Sequence, residues 1–504
     1  MKKIAFIVLI TLLCLCAFPQ ERGFYSLFQD PDRKTWRACD VLELEDGYLF
    51  SLKEQSTPGM ESKIVKLSNN GELLGEVSLA ATDTTVNLCN LFPHPNDNSL
   101  VVGIGKCSAP NGNDFLMTIC LDDEMAVVSR KLVPLPVANH PDARLDEYRF
   151  LQLEEGYVAM LSFQLQMFGN EIKLCKISND GEIVQVENFA DTTVRCIDNL
   201  FRLQDDPHGF GLFGARQIPY LHVTSRTWIY DSKLQLIREC NIVNWREDDG
   251  NGHYYHANIE AYNSMMISSP DGGYFISSRL DEYSNDKDDR SAFLAKTDSD
   301  FVIQPNFCVI GHFNDTVEAP AFFKSVDVND NGEVYQCSMR NVNYDSWPYG
   351  GSGTHLVVTK ADTDLNVVWQ KQYLVDGNIY SAFQTIATSD GGCLVVGNVF
   401  DHNSGGRLDV FVLKINADGT VGIDEIQEES MLTVYPNPAS TTITITGENL
   451  RQIGVSNMLG QLVAIHQAEG SETIIDISTL PAGIYFLDII NEEGKRCVRK
   501  LMKE

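Results

Sequence analysis

The chain has 504 residues, 43% of them hydrophobic, and 69 acidic side chains against 39 basic ones, a formal net charge of −30. So acidic a surface is repelled by nucleic acid and by anionic membrane, which excludes a nucleic-acid-binding role. The length exceeds what one compact core holds, so the chain must have several domains or repeat.

At the N-terminus, Lys2 and Lys3 precede an apolar run over 4–18. A charged start followed by a short apolar stretch is the pattern of a signal peptide, here 1–20. The run is shorter than the roughly 20 apolar residues of a spanning helix, and no later stretch approaches that length. The mature chain is therefore expected to lack a transmembrane segment. With the signal removed eleven of the thirteen cysteines remain, scattered singly without a C-x-x-C pair. They read as small core residues rather than zinc ligands.

Residues 21–420 repeat one β-rich unit, and 21–430 hold 31 basic and 61 acidic side chains. The unit opens with an Asx-Gly turn and an apolar run, as in Asp46-Gly47-Tyr48-Leu49-Phe50. It ends on a second run and a polar turn, as in Lys66-Leu67-Ser68-Asn69-Asn70-Gly71. Clear copies recur at Gly156-Tyr157 with Lys176-Ile177, and at Asp271-Gly272-Gly273-Tyr274 with Lys296-Thr297. Another lies at Asp390-Gly391-Gly392-Cys393 with Lys414-Ile415. Weaker copies lie near 98, 209 and 332. Turns of this chemistry favour hairpins. A spacing of about 51 to 64 residues with about four β runs per copy predicts propeller blades, about seven in number. Two separate β-sandwiches are the alternative, which the regular spacing disfavours.

An acidic stretch over 421–430 predicts a linker. The segment 431–504 then alternates at Thr442-Ile-Thr-Ile-Thr446 and has turn residues at regular intervals, as a small Ig-like antiparallel β-sandwich requires. Its ordered motifs are Tyr435-Pro436-Asn437-Pro438, then Asn457-Met458-Leu459-Gly460, then Leu480-Pro481-Ala482-Gly483-Ile484-Tyr485. A basic end follows, from Lys495 to Lys500. This order resembles the C-terminal sorting domain (type A) of the Bacteroidetes type IX secretion system. The resemblance implies that Tyr435, Pro436, Asn437, Pro438, Leu459, Gly460, Gly483, Tyr485, Lys495 and Lys500 belong to the sorting signal. It also implies Sec export to the periplasm, engagement of the type IX translocon and its sorting machinery, and a secreted or outer-surface location. The body resembles the propeller-like repeats often fused to such domains.

Catalytic patterns are missing from the body. His253-Tyr254-Tyr255-His256 has no third ligand in sequence, and residues three apart point to opposite faces of a strand. The Gly-rich stretch 347–355 reads as a hairpin insert. Asp327-Val-Asn329-Asp-Asn331-Gly332-Glu333 and the acidic loop 281–289 carry part of a calcium-loop pattern; the first lacks the acidic twelfth position, where Ser338 stands. No catalytic, cofactor or metal residue is assigned, and calcium is the only ion suggested. The expected activity is binding of an extracellular glycan or protein. The alternative is a hydrolase acting on polysaccharide or peptide at the mouth of the propeller channel.

Overall fold

The computed structural model describes residues 23–421 and 433–503. Excepted are 31–33, 55–60, 80–83, 165–169, 190–193, 217–223, 243–245, 249–253, 257–263, 284–287, 311–316, 343–352, 376–377, 401–407, 448, 458–461, 469 and 492–495. The signal-peptide segment 1–20 and most of the acidic linker lie outside the described residues. The described chain forms two compact units, 23–421 and 433–503. It is all-β: every element is a strand.

Among the described residues the body forms seven antiparallel sheets, each taking its strands mostly in chain order. In the first sheet the strands Trp36–Leu44, Gly47–Glu54, Ser62–Ser68 and Leu73–Ser78 pair in succession. The middle strands are nearly continuous buried runs, and the fourth alternates towards solvent. That pattern follows from stacking: a middle strand is covered by a sheet on either side, whereas the outermost one faces water.

One inner strand from each of these sheets touches the next in cyclic order: Trp36–Leu44, Thr85–Pro93, Arg144–Leu153, Val194–Arg202, Met265–Ser268, Val326–Val328 and Ile379–Ala387, which meets Trp36–Leu44 again. This ring is the inner wall of a β-propeller. The strand Phe24–Phe28 pairs with Leu408–Ile415, so the start of the body completes its last sheet. Gly23 N also donates to Asn416 Oδ1 at 2.7 Å. Fusing both ends of the body into one sheet removes the open edge that an unclosed ring would leave.

The two recurring sequence signatures meet in space. A Cβ on Gly47 would fall 1.9 Å from the carbonyl oxygen of Leu67, and one on Gly273 would fall 1.9 Å from that of Thr297. The second strand thus begins against the end of the third, closer than any side chain permits. The lysine of the third strand then ties that corner to the next sheet. Lys66 Nζ lies 2.8 Å from Asp46 and donates to the Asp123 carbonyl at 3.1 Å. Lys296 pairs with Asp271 at 2.7 Å and donates to Thr363 O at 2.9 Å. Lys360 pairs with Glu333 at 2.6 Å and donates to Ala417 O at 3.2 Å. Lys176 donates to Ser232 O at 3.2 Å.

The C-terminal unit packs two sheets face to face. One contains Thr433–Tyr435, Thr442–Thr446 and Glu472–Asp476; the other contains Leu462–Gln467, Leu450–Asn457, Gly483–Asn491 and Arg496–Lys503. Ile443, Ile445 and Ile475 from the first interdigitate with Ile453, Leu487 and Leu501 from the second. This is the small antiparallel sandwich expected from the alternation.

Candidate functional site

The inner strands carry a recurrent irregularity. The pairing register skips Cys39 in the first sheet, Cys89 in the second, Asp198 in the fourth and Phe383 in the seventh. A bulge of this kind re-aims a side chain out of the ladder. The residue after each bulge is polar. Asp40 Oδ2 accepts from Leu91 N at 2.9 Å and from Asn90 Nδ2 at 3.2 Å. Asn199 donates to Met266 O at 2.8 Å and accepts from Met266 N at 3.1 Å. Gln384 Nε2 donates to Cys39 O at 2.6 Å. Asp40, Asn199 and Gln384 thus bond to the backbone of a neighbouring inner strand, and Asn90 bonds to the Asp40 side chain.

At the propeller axis these strands bring together side chains far apart in sequence. The Arg37 guanidinium lies 4.7 Å from the ring centroids of both Phe323 and Phe383, which are themselves 5.5 Å apart. Arg149 reaches across from the third sheet to 5.7 Å from Phe323 of the sixth. Arg149 is held by Glu147 at 2.8 Å and donates to the Asp198 carbonyl at 3.4 Å. Lys324 pairs with Asp327 at 3.0 Å. Arg37 has no carboxylate partner among the described residues, and its Nε is shielded from solvent without a hydrogen bond. The two aromatic faces supply part of what a counter-ion would.

Burial governs the electrostatics of the cluster. It pushes the Asp198 carboxyl up to about 7, helped by the charge of Glu147 and opposed by that of Arg149. It pushes Asp40 up to about 6 against the amide of Leu91. The Cys39 thiol rises to about 12, and burial raises Cys89 and Cys196 as well, so all three are held as thiols. Burial, with repulsion from Arg149, lowers Arg37. Asp198 Oδ2 and Gln384 Oε1 are shielded and make no hydrogen bond.

A cleft of 810 Å³ opens elsewhere, at the turns lined by Gln204, Asp271, Lys296, Asp298 and Asn306. Its charged groups serve the fold: Lys296 and Asp271 form the inter-sheet tie described above, and Gln204 donates to Ser269 O at 2.8 Å.

The sequence-derived candidates fall as follows. In the calcium-like loop, Asp327 accepts from Ala387 N at 3.0 Å and Glu333 from Lys360, so its carboxylates turn to protein partners. Tyr254–His256 forms a short strand beside Tyr274–Tyr283, while His253 lies outside the described residues. So does most of 347–355. Among the described residues no group of three or more His, Cys, Asp or Glu is placed to hold a metal ion. Cys175 is buried as expected and Cys120 partly so. Cys39 and Cys196 stand on inner strands outside the core clusters between sheets, whereas Cys89 packs against the cluster of Val102, Ile104 and Tyr157.

The sorting motifs gather on the final strand. Asn437 Oδ1 accepts from Met502 N at 2.9 Å, and Ala439 N donates to Met502 O at 2.9 Å, so the Tyr435-Pro436-Asn437-Pro438 segment is stitched to that strand. Gly483 pairs with Lys503, Tyr485 with Leu501, and Phe486 with Lys500. Tyr485 is buried and its hydroxyl donates to Pro481 O at 2.9 Å. Tyr435 is half exposed. Leu459, Gly460 and Lys495 lie outside the described residues.

No curated protein matches the chain. Solved structures with a similar fold include the β-propeller domain of the Trilobed protease from Pyrococcus furiosus, at 9% identity and TM-score 0.40, covering 75% of this chain and 95% of that one. They include polysaccharide lyase Uly1, at 9% identity and TM-score 0.43, covering 75% and 89%. They also include the GH93 α-L-arabinofuranosidase of Fusarium graminearum, at 10% identity and TM-score 0.36, covering 78% and 97%. Likeness at this level says nothing of activity. Residues 433–504 match the family model described as the secretion system C-terminal sorting domain. The chain is a β-propeller body whose C-terminal unit belongs to the secretion system C-terminal sorting domain family, and it is exported to the cell surface or secreted.

Proposed function

We propose that the body is an extracellular binding module whose ligand site lies at the propeller axis. One observation carries this reading: Arg37 is held against Phe323 and Phe383 with no carboxylate partner among the described residues. A desolvated guanidinium without a counter-ion costs stability, and such a group is retained where a ligand supplies the charge. The segment 1–20 directs Sec export, and the sorting domain engages the type IX machinery for the outer step. Glycan and peptide arrays probed with the purified mature protein test the binding reading. Capture of one ligand class, weakened by Arg37→Gln, is expected; silence on both arrays overturns it. A chain ending at residue 422 is expected to stay in the periplasm, and its appearance outside the cell overturns the export reading.

A second reading, an extracellular hydrolase, draws support from Asp198. A carboxyl that keeps its proton near neutrality, beside Glu147, has the protonation a general acid needs. Release of nitrophenol from aryl glycosides, abolished by Asp198→Asn, is the outcome that favours this reading over simple binding.

A further inference from the structure

We infer that the axial site recognises a monoanionic hydroxy acid of the uronate class, its carboxylate held by Arg37 and its hydroxyls by the acceptors around it. The inference rests on the binding-module reading and deepens it.

Charge comes first. Arg149 is paired with Glu147 and Lys324 with Asp327, which leaves Arg37 as the cation at the Phe323–Phe383 pair without a partner among the described residues. Arg149 lies close enough to oppose the charge on Arg37. One carboxylate bound across the Arg37 fork relieves that repulsion and makes the charge-assisted, two-pronged bond that guanidinium favours. A doubly charged phosphate brings more negative charge than this site leaves open, because Glu147 and Asp327 already offset Arg149 and Lys324 and only Arg37 is left without a partner among the described residues.

The acceptors come second. Asp198 Oδ2 and Gln384 Oε1 lack hydrogen-bond partners, and both stand at bulges of inner strands of the ring. An unpaired buried acceptor is costly and calls for a donor. A simple carboxylate such as acetate has none to offer. A uronate carries hydroxyls on the carbons around its carboxyl, so one molecule supplies the acceptor that Arg37 lacks, a donor for Gln384, and a hydroxyl that can accept from the protonated Asp198 carboxyl.

Calorimetric titration of the mature full-length protein tests this with four probes: galacturonate, its neutral counterpart galactose, acetate and inorganic phosphate. Galacturonate is expected to bind, and the other three at least about tenfold more weakly, the scale of one hydrogen bond to a charged group. Arg37→Gln is expected to lower galacturonate affinity by ~10- to 100-fold, with Arg37→Lys in between; circular dichroism checks that each variant is folded. The four-probe comparison on the unaltered protein does not depend on those variants. Equal binding of galactose, or of acetate or phosphate, overturns the inference while leaving a binding module. Failure of all four overturns it too, and the arrays then decide separately whether the body binds anything.

Discussion

Lys414 Nζ lies 2.6 Å from Asp390 Oδ2, and the lysine has no exposed surface. The pair sits in the last sheet of the body, where the strand Phe24–Phe28 also docks. Burial works against ionisation of Asp390, but the charge and hydrogen bond of Lys414 outweigh it and hold the carboxyl below its usual range. The corresponding lysines Lys66, Lys296 and Lys360 spend their bonds partly on the next sheet; Lys414 is turned into its own.

Breaking this pair from one side is expected to be far worse than removing it whole. Asp390→Ala leaves a buried ammonium and should cost about 3–5 kcal/mol in urea unfolding. The double change Asp390→Leu with Lys414→Met should recover most of that loss. Equal destabilisation by the single and double variants would show that the ion pair is not what matters at this corner.

Two adjacent glycines give a second comparison. A Cβ on Gly273 collides with the Thr297 carbonyl, whereas one on Gly272 meets nothing within 4 Å, although both have positive φ. Gly272→Ala is expected to cost about 1 kcal/mol, from backbone conformation alone. Gly273→Ala should cost about 2–4 kcal/mol, because the hairpin must also open. Thermal unfolding of the two variants ranks them.

A third expectation concerns acidity. Asp198 and Asp40 keep their protons in the folded body up to about pH 7 and 6, while ordinary aspartates release theirs near 3.8. The folded state therefore binds more protons across that window, and stability falls as pH rises through it. Carboxyls held low by lysines, such as Asp390 and Glu333, lose their contribution on the acid side. Stability should peak near pH 4. Asp198→Asn should flatten the fall between pH 4 and 7 by on the order of 1–2 kcal/mol, allowing for partial solvent screening. An unchanged slope in the variant would remove Asp198 from this role.

Asn199 bridges two sheets through both the amide and the carbonyl of Met266. Asn199→Ala leaves both groups buried and unpaired, with an expected loss of about 2–4 kcal/mol. Hydrogen exchange at the Met266 amide should speed up with it; protection at the level of the unaltered protein would contradict the bridge.

These residues also show what a sequence can reveal. Gly47, Gly273 and the lysines recur at fixed spacing because each copy solves the same local problem, a strand start pressed against a strand end. The sheets and the sorting domain were legible for that reason. The axial cluster was not. Arg37, Arg149, Asp198, Phe323 and Phe383 come from five different sheets and meet only when the ring closes, so no sequence window contains them. Cys39 read as a core residue only because the cysteines are scattered singly; the bulge at that position leaves no compositional mark. One signal was available. A polar residue stands in the apolar run before the turn at Asp40, Asn90, Asn199 and Gln384, and each proved to hold an inner strand to its neighbour.

Gly23 and Asn416 are 393 residues apart and joined by a hydrogen bond. The closing strand is thus among the first parts of the body to be synthesised and the last to find its partner. Until residues 408–415 arrive, every earlier sheet can form its local hairpins, but the ring remains an open arc. Closure over so long a loop is slow compared with hairpin formation. The sorting domain has no such wait, since all its strands lie within 433–503. The sorting domain, with its strands close together in the chain, can therefore complete its sheets faster than the body closes its ring.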